Sequence, residues 1–212
     1  MSTVDINRML EAGVHFGHKT RKWNPKMKPY IYGAHEGIHV FDLEKTKQLL
    51  ENALDFLKRT VASGKTILFV STKPQAANLI VEAAREVKMP YVVHKWMGGL
   101  LTNFATIKQR IRYLKKLKDD EKSGEFEKYT KKEASQLRKQ IEKLESTLGG
   151  VSNLDGLPHV IFLTDVLRDK IVVREAKKMK IPVVAIVDSN ADPDNIAFPI
   201  PANDDAVKSI TY

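Results

Sequence analysis

A chain of 212 residues, 42% of them hydrophobic, can bury a substantial core, as one large domain or as a domain carrying an insertion. It has no cysteine, which excludes disulfides, thiolate nucleophiles and sulfur-ligated zinc and agrees with a reducing compartment. Its 35 Lys and Arg against 26 Asp and Glu give a net charge of +9, which favours a polyanionic partner, because each cation docked on a phosphate releases a condensed counterion.

The N-terminus, MSTVDINRML, has no apolar core of signal-peptide length, and no stretch approaches a membrane span. The expected compartment is therefore the cytoplasm, with no membrane partner. Asp5 is placed to cap a short helix ending near Met9 or Glu11. The next stretch, VHFGHKTRKWNPKMKPYIYGAHEGIHVFD, sets aromatics among cations and reads as an exposed loop leading into a small hairpin, with strands near Tyr30–Tyr32 and Ile38–Phe41. From Asp42 to Ala62 apolar residues recur at helical spacing, and Gly64 closes that helix.

Unbroken apolar runs follow at Ile67–Val70, Tyr91–Val93, Val160–Leu163 and Val183–Val187, with a last short strand near Phe198–Ile200. Continuous rather than alternating apolar strands have both faces covered, the pattern of a parallel sheet between helices. Helices over Pro74–Lys88 and Arg168–Met179 supply the alternation. The fold class expected is doubly wound α/β, with a mainly parallel five-stranded sheet of the flavodoxin or Rossmann kind.

Residues 102–148 break that alternation. Phe104, Ile107, Ile111, Leu114 and Leu117 form one helical stripe; Ala134, Leu137, Ile141, Leu144 and Leu148 form a second. Thr130 and Glu133 form a capping box, and Gly149-Gly150 closes the second helix. Two narrow stripes joined by a short polar link predict an inserted antiparallel coiled-coil hairpin. The expected organisation is residues 1–101 as the first part of the α/β domain, 102–148 as the insertion and 149–212 as the second part.

An enzyme binding a nucleotide or phosphosugar is the alternative that the sheet invites. Phosphate binding needs glycines just after a strand, where backbone meets the pyrophosphate at a helix N-terminus. Here Val70 runs into Ser71-Thr72-Lys73-Pro74, no glycine lies between that strand and Gly98, and none follows Gly156. Asp165, Asp188, Asp192 and Asp194 sit where such enzymes keep their carboxylates, but no nucleophile or base is paired with them by motif. They read as loop and cap residues; beyond a loosely held magnesium ion, no cofactor is implied. His15 with His18, and His35 with His39, have spacings that could bring imidazoles together, but glycines interrupt both windows and further zinc ligands are lacking.

The segment Lys19-Thr20-Arg21-Lys22-Trp23-Asn24-Pro25-Lys26-Met27-Lys28-Pro29-Tyr30 carries five cations, no acid and two aromatics. Cations can take phosphates, Asn24 can bond sugar or base edges, and aromatic faces can stack on unpaired bases. The competing reading is a solvated basic loop whose aromatics pack on the core. In the hairpin, Lys108, Arg110, Arg112, Lys115, Lys116 and Lys118 crowd the first helix, whereas the second mixes signs. The first helix is thus expected to face RNA more than the second. A coiled-coil adaptor with only protein partners is a third reading.

Three segments, EAGVHFGHKTRKWNPKMKPYIYG, KWMGGLLTNFATI and IPVVAIVDSNADPDNIAFPIPANDDA, together with LGG and GLPHVIFLTD, closely resemble the family of the second protein of the bacterial small ribosomal subunit, over nearly the whole chain. The resemblance implies a flavodoxin-like domain with a protruding coiled-coil hairpin, a structural and non-enzymatic role in translation, and a ribosome-bound cytoplasmic location. It implies contact with 16S ribosomal RNA and with neighbouring small-subunit proteins, including the large messenger-RNA-binding first protein. Carried onto this chain, the RNA-facing residues would be His18, Lys19, Thr20, Arg21, Trp23, Asn24, Lys26 and Lys28, beside Lys22 of the same segment. Lys95, Trp96, Asn103 and the cationic side of the first hairpin helix (Lys108, Arg110, Arg112) are further candidates, with core packing the competing reading of Trp96. The wording Asp165-Val166-Leu167-Arg168-Asp169-Lys170 departs from the family's usual one.

Overall fold

The computed structural model describes residues 4–212. Helix α1 (Ile6–Glu11) is capped by the Asp5 carboxylate, which accepts the Asn7 N–H at 2.9 Å. Three short strands follow, β1 (Phe16–Lys19), β2 (Ile31–His35) and β3 (Ile38–Phe41), forming an antiparallel sheet in the order β1-β3-β2. Helix α2 (Leu43–Ala62) begins at Asp42, whose side chain accepts the Glu44 and Lys45 amides.

The main sheet contains β4 (Ile67–Val70), β5 (Tyr91–Val92), β6 (Val160–Leu163), β7 (Val183–Val187) and β8 (Phe198–Pro201). All four pairings are parallel, in the order β5-β4-β6-β7-β8. Helices α3 (Pro74–Glu86), α6 (Lys170–Met179) and α7 (Val207–Thr211) complete the α/β frame. Side chains alternate across each strand. Leu68, Val70, Ile161, Leu163, Val183, Ala185 and Val187 point into one core, shared with Val172 and Ala176 of α6. Ile67, Val160, Val184, Ile186 and Ile200 point into the other, with Met9 of α1 and Ala53 of α2.

Helices α4 (Phe104–Lys122) and α5 (Lys131–Leu148) make the hairpin. Ile107, Ile111, Leu114 and Leu117 face Ala134, Ile141 and Leu148, and this seam is continuous with the first sheet core. The cross-helix ion pairs Lys118–Glu145 and Glu121–Arg138 step in opposite directions along the two helices, as antiparallel packing requires. The Thr130/Glu133 capping box has both of its reciprocal hydrogen bonds. The glycine pair does something other than expected: Gly149 stays right-handed and leads into a 3₁₀ turn, Gly149–Val151. Gly150 is needed there for close approach, because a Cβ on it would lie 2.2 Å from the Tyr91 carbonyl oxygen.

The segment after β1 is a folded strap rather than a free loop. Thr20–Lys22 and Pro25–Tyr30 are 3₁₀ turns, the second opened by Pro25 and capped by Asn24, whose side chain accepts the Lys26 amide. Met27 is fully buried in the first core beside Phe41. Burying such a side chain contributes about 2 kcal/mol, enough to anchor one turn. FGHK lacks an apolar strand pattern; β1 exists because Gly17 lets its backbone lie against Ser189 at the end of β7, where a Cβ would come within 2.8 Å of Ser189 Oγ.

Candidate functional site

In open α/β sheets, ligands enter the crevice beyond the carboxyl ends of the strands, at the point where strand order reverses. That point lies between β4 and β6, and it is closed from within. Thr164 Oγ1 bonds Ser71 Oγ at 2.6 Å. The Thr72 amide and hydroxyl both donate to the Asp169 carboxylate, at 3.1 and 2.8 Å. A loop amide that could meet a phosphate is thus already engaged with a carboxylate. Burial pushes the Asp169 carboxyl up, the hydrogen bonds from Thr72 only partly offsetting it.

Beside this closure lies a charge cluster. Lys73 Nζ sits 2.8 Å from Asp204 Oδ1, 2.6 Å from Asp205 Oδ1 and 3.5 Å from Asp165 Oδ2, with Lys73, Asp204 and Asp165 all buried. Burial disfavours the Lys73 ammonium, but the hydrogen bonds and charges of its carboxylate neighbours outweigh that and hold its pKa above the ordinary value. Asp204 is pushed up to about 7 by burial and by the charges of Asp188 and Asp165. His18 joins the cluster with Nδ1 3.0 Å from Asp188 Oδ1 and Nε2 3.4 Å from Asp205 Oδ2. The hydrogen bond to Asp188 raises the His18 pKa against partial desolvation. The residual opening, about 370 Å³, is lined by His18, Lys73, Asp165, Arg168, Asn190, Asp204 and their neighbours. No group of three or more histidines and carboxylates is arranged to hold a metal ion among the described residues, and the Lys73 ammonium already neutralises much of this cluster. A larger cavity, about 810 Å³, opens at the other end of the sheet, between Lys65, Arg85, Tyr91 and Gly150.

The basic strap lies across the carboxyl end of β7. The His18 amide donates to Ser189 Oγ at 2.7 Å, and the Asn24 amide donates to the Ser189 carbonyl at 2.7 Å. Lys26 Nζ reaches both Asp192 Oδ2, at 2.8 Å, and Asp194 Oδ2. The chain's own cationic segment therefore occupies the end of the sheet beside the crevice, with His18 on the lining of the remaining opening.

This geometry sorts the candidate residues. Lys19, Arg21, Lys22 and Lys28 are exposed and have no acidic partner among the described residues. His18 and Lys26 are paired internally, so they hold the strap rather than present free charge. Thr20 is half-buried, and Trp23 lies 4.9 Å, centroid to centroid, from the His39 ring. Trp96 corrects the expectation made for it as an RNA contact: it is 7% exposed, and its Nε1 donates to Glu175 Oε1 at 3.0 Å. Its ring is a core element with no face open for stacking. Lys95 and Arg112 are exposed, Asn103 accepts from Thr106 Oγ1, Lys108 donates to the Asp155 carbonyl, and Arg110 leans on the Met97 sulfur.

Glu175, on α6, carries no motif, yet it organises the approach to the hairpin. Its carboxylate accepts from Trp96 Nε1, the amides of Gly99, Leu101 and Thr102, and Thr102 Oγ1. Burial opposes its charge, but these donors more than compensate and keep its pKa low.

Together the closed crevice and the externally displayed cations define an α/β scaffold protein rather than a cofactor-dependent enzyme. The chain belongs to the ribosomal protein S2 family, whose model matches residues 9–212. It is 52% identical over 210 residues, 99% of this chain and 82% of the relative, to a small ribosomal subunit protein uS2 from Geotalea uraniireducens. It is 50% identical over 207 residues, 98% of this chain and 78% of the relative, to the protein of the same name from Nitratiruptor sp.. Members of this family are structural proteins of the small ribosomal subunit and not enzymes. Among the described residues, no helix is long and apolar enough to cross a membrane.

Proposed function

We propose that this chain is a cytoplasmic, ribosome-bound constituent of the small subunit, gripping 16S ribosomal RNA through its strap and its hairpin and offering its α/β domain to neighbouring subunit proteins, the large messenger-RNA-binding first protein among them. Residues 102–148 would act as an arm inserted between the two parts of the α/β domain, residues 1–101 and 149–212. The observation that carries this reading is the strap: four unpaired cations, Lys19 at the end of β1 and Arg21, Lys22 and Lys28 on the two 3₁₀ turns after it, in a segment that Met27 and Ser189 fix in place. Pre-ordered turns lose little entropy on docking, so each cation can contribute to phosphate affinity nearly in full.

The expected result is a steep salt dependence. Each lost phosphate contact should lower the log–log slope of affinity against salt by about 0.7–0.9. Replacing Lys19, Arg21, Lys22 and Lys28 together by Gln should thus lower the slope for 16S RNA by roughly 3. Lys26→Gln should change the slope little, because Lys26 is already neutralised by Asp192 and Asp194. Filter binding between about 50 and 200 mM salt checks both, and equal effects from Lys26 and Lys22 would contradict the assignment.

A further inference from the structure

We propose that the outward ridge of α5 is a second RNA-backbone contact, formed by Lys132, Lys139 and Lys143 with Gln136 between them. The inference rests on the RNA-binding reading above and extends it to the helix whose sequence mixes signs. At 100° per residue, Ala134, Ile141 and Leu148 lie on the seam with α4, and Lys132, Gln136, Lys139 and Lys143 lie on the opposite side, all four exposed. The three lysines span about 16 Å along the axis.

The acids of α5 fall outside this row, and two of the three are engaged. Glu133 closes the capping box with Thr130, and Glu145 pairs with Lys118. Arg138, also off the row, pairs with Glu121. Among the described residues, Lys132, Lys139 and Lys143 have no acidic partner. The mixed-sign composition of α5 therefore resolves into a flank that holds the acids, Glu142 the one left unpaired among the described residues, and a crest without acids.

The first helix is arranged differently: Arg112, Lys115 and Lys116 are exposed with no acidic partner among the described residues, but they crowd into about one turn instead of forming a long row. Of its six crowded cations, Lys108 is bound to the Asp155 carbonyl, Arg110 leans on Met97 and Lys118 is paired, and the helix ends in Asp119 and Asp120. A phosphate chain meeting the hairpin would find its most regular row of free charge on the second helix. Lysine suits this contact as a point charge that tolerates imprecise phosphate geometry.

The test is the triple variant K132Q/K139Q/K143Q of the full chain, bound to a 16S RNA transcript over a salt series. Gln has nearly the helix propensity of Lys, so the hairpin should persist, and circular dichroism checks that it does. The expected result is a slope lower by about 2–2.7. A control variant, K58Q/K177Q/K178Q, removes three exposed lysines from α2 and α6 and should leave the slope nearly unchanged. An unchanged slope for the ridge variant, or an equal fall in the control, overturns the proposal while leaving the strap reading intact. A parent chain with no salt-dependent affinity for the transcript overturns both.

Discussion

Glu175→Gln should destabilise the protein by about 3 kcal/mol or more, lowering the melting temperature by roughly 6–12 °C. The substitution preserves shape, yet it turns one acceptor oxygen into an NH₂ group. Oε1 receives the Trp96 indole N–H and the Gly99 amide; Oε2 receives the Leu101 and Thr102 amides and the Thr102 hydroxyl. Whichever way the amide turns, at least two donors meet another donor in a buried site. The damage should be local first, because these donors line residues 96–102, the approach to α4. Hydrogen exchange is expected to accelerate there and in the first turns of α4 before it does in β6 or β7. The pH dependence has a definite sign. The Glu175 pKa is lower in the folded chain than in the unfolded one, so its contribution is present above the unfolded value and disappears as pH falls through the folded value. The difference between variant and parent should therefore be full at pH 7 and shrink below about pH 4. Thermal unfolding across that range checks it.

Lys73→Met should cost a similar amount, about 3–5 kcal/mol near pH 8, but with a different pH profile. Removing this ammonium leaves Asp165 and Asp204 buried and Asp205 beside them, with no lysine to neutralise them. Asp204 is already raised to about 7 in the presence of Lys73. A carboxyl raised on folding contributes stability that is complete below its unfolded pKa and is lost as pH rises through its folded one. Without Lys73 that folded value rises further, so the variant should recover much of its deficit between pH 8 and pH 5, where Asp204 takes up a proton. Glu175→Gln should show no such recovery over the same range. A Lys73→Met chain as stable as the parent at pH 8 would mean that the cluster is solvated rather than buried.

The five-stranded sheet was legible because its central strands are covered on both faces, and burial on both faces writes itself as an unbroken apolar run. Ile67–Val70, Val160–Leu163 and Val183–Val187 fall where those runs predict. The hairpin was legible for the same kind of reason: its narrow seam and the Thr130/Glu133 box are local signals. Strand β1 was not, since FGHK has no apolar alternation and is held by a long-range approach of Gly17 to Ser189. The 3₁₀ turns of the strap were hidden similarly, because Pro25 and Pro29 fit a loop equally well until Met27 finds the core.

The site divides along the same line. That residues 19–28 are cationic is composition, and it can be read directly. Which cations remain free depends on acids more than 160 positions away: Asp192 and Asp194 neutralise Lys26 across 166 and 168 residues. The pairing of Lys73 with Asp165, Asp204 and Asp205 was missed, although Asp165 itself stood out, because it spans 92–132 positions and no motif marks it. Glu175 was missed because it sits among Arg174, Lys177 and Lys178 like any surface charge of an amphipathic helix. Trp96 looked available for stacking only while that partner was unseen.

Residue-level crosslinking of the assembled small subunit is the most direct measurement of whether the strap beside a closed α/β crevice faces RNA. Crosslinks to 16S RNA should concentrate at Lys19, Arg21, Lys22 and Lys28, with Lys26 and Trp96 silent. A subunit in which those four positions form no crosslinks to RNA, and in which Lys19, Lys22 and Lys28 react with an acylating reagent as freely as in the isolated chain, would contradict the account.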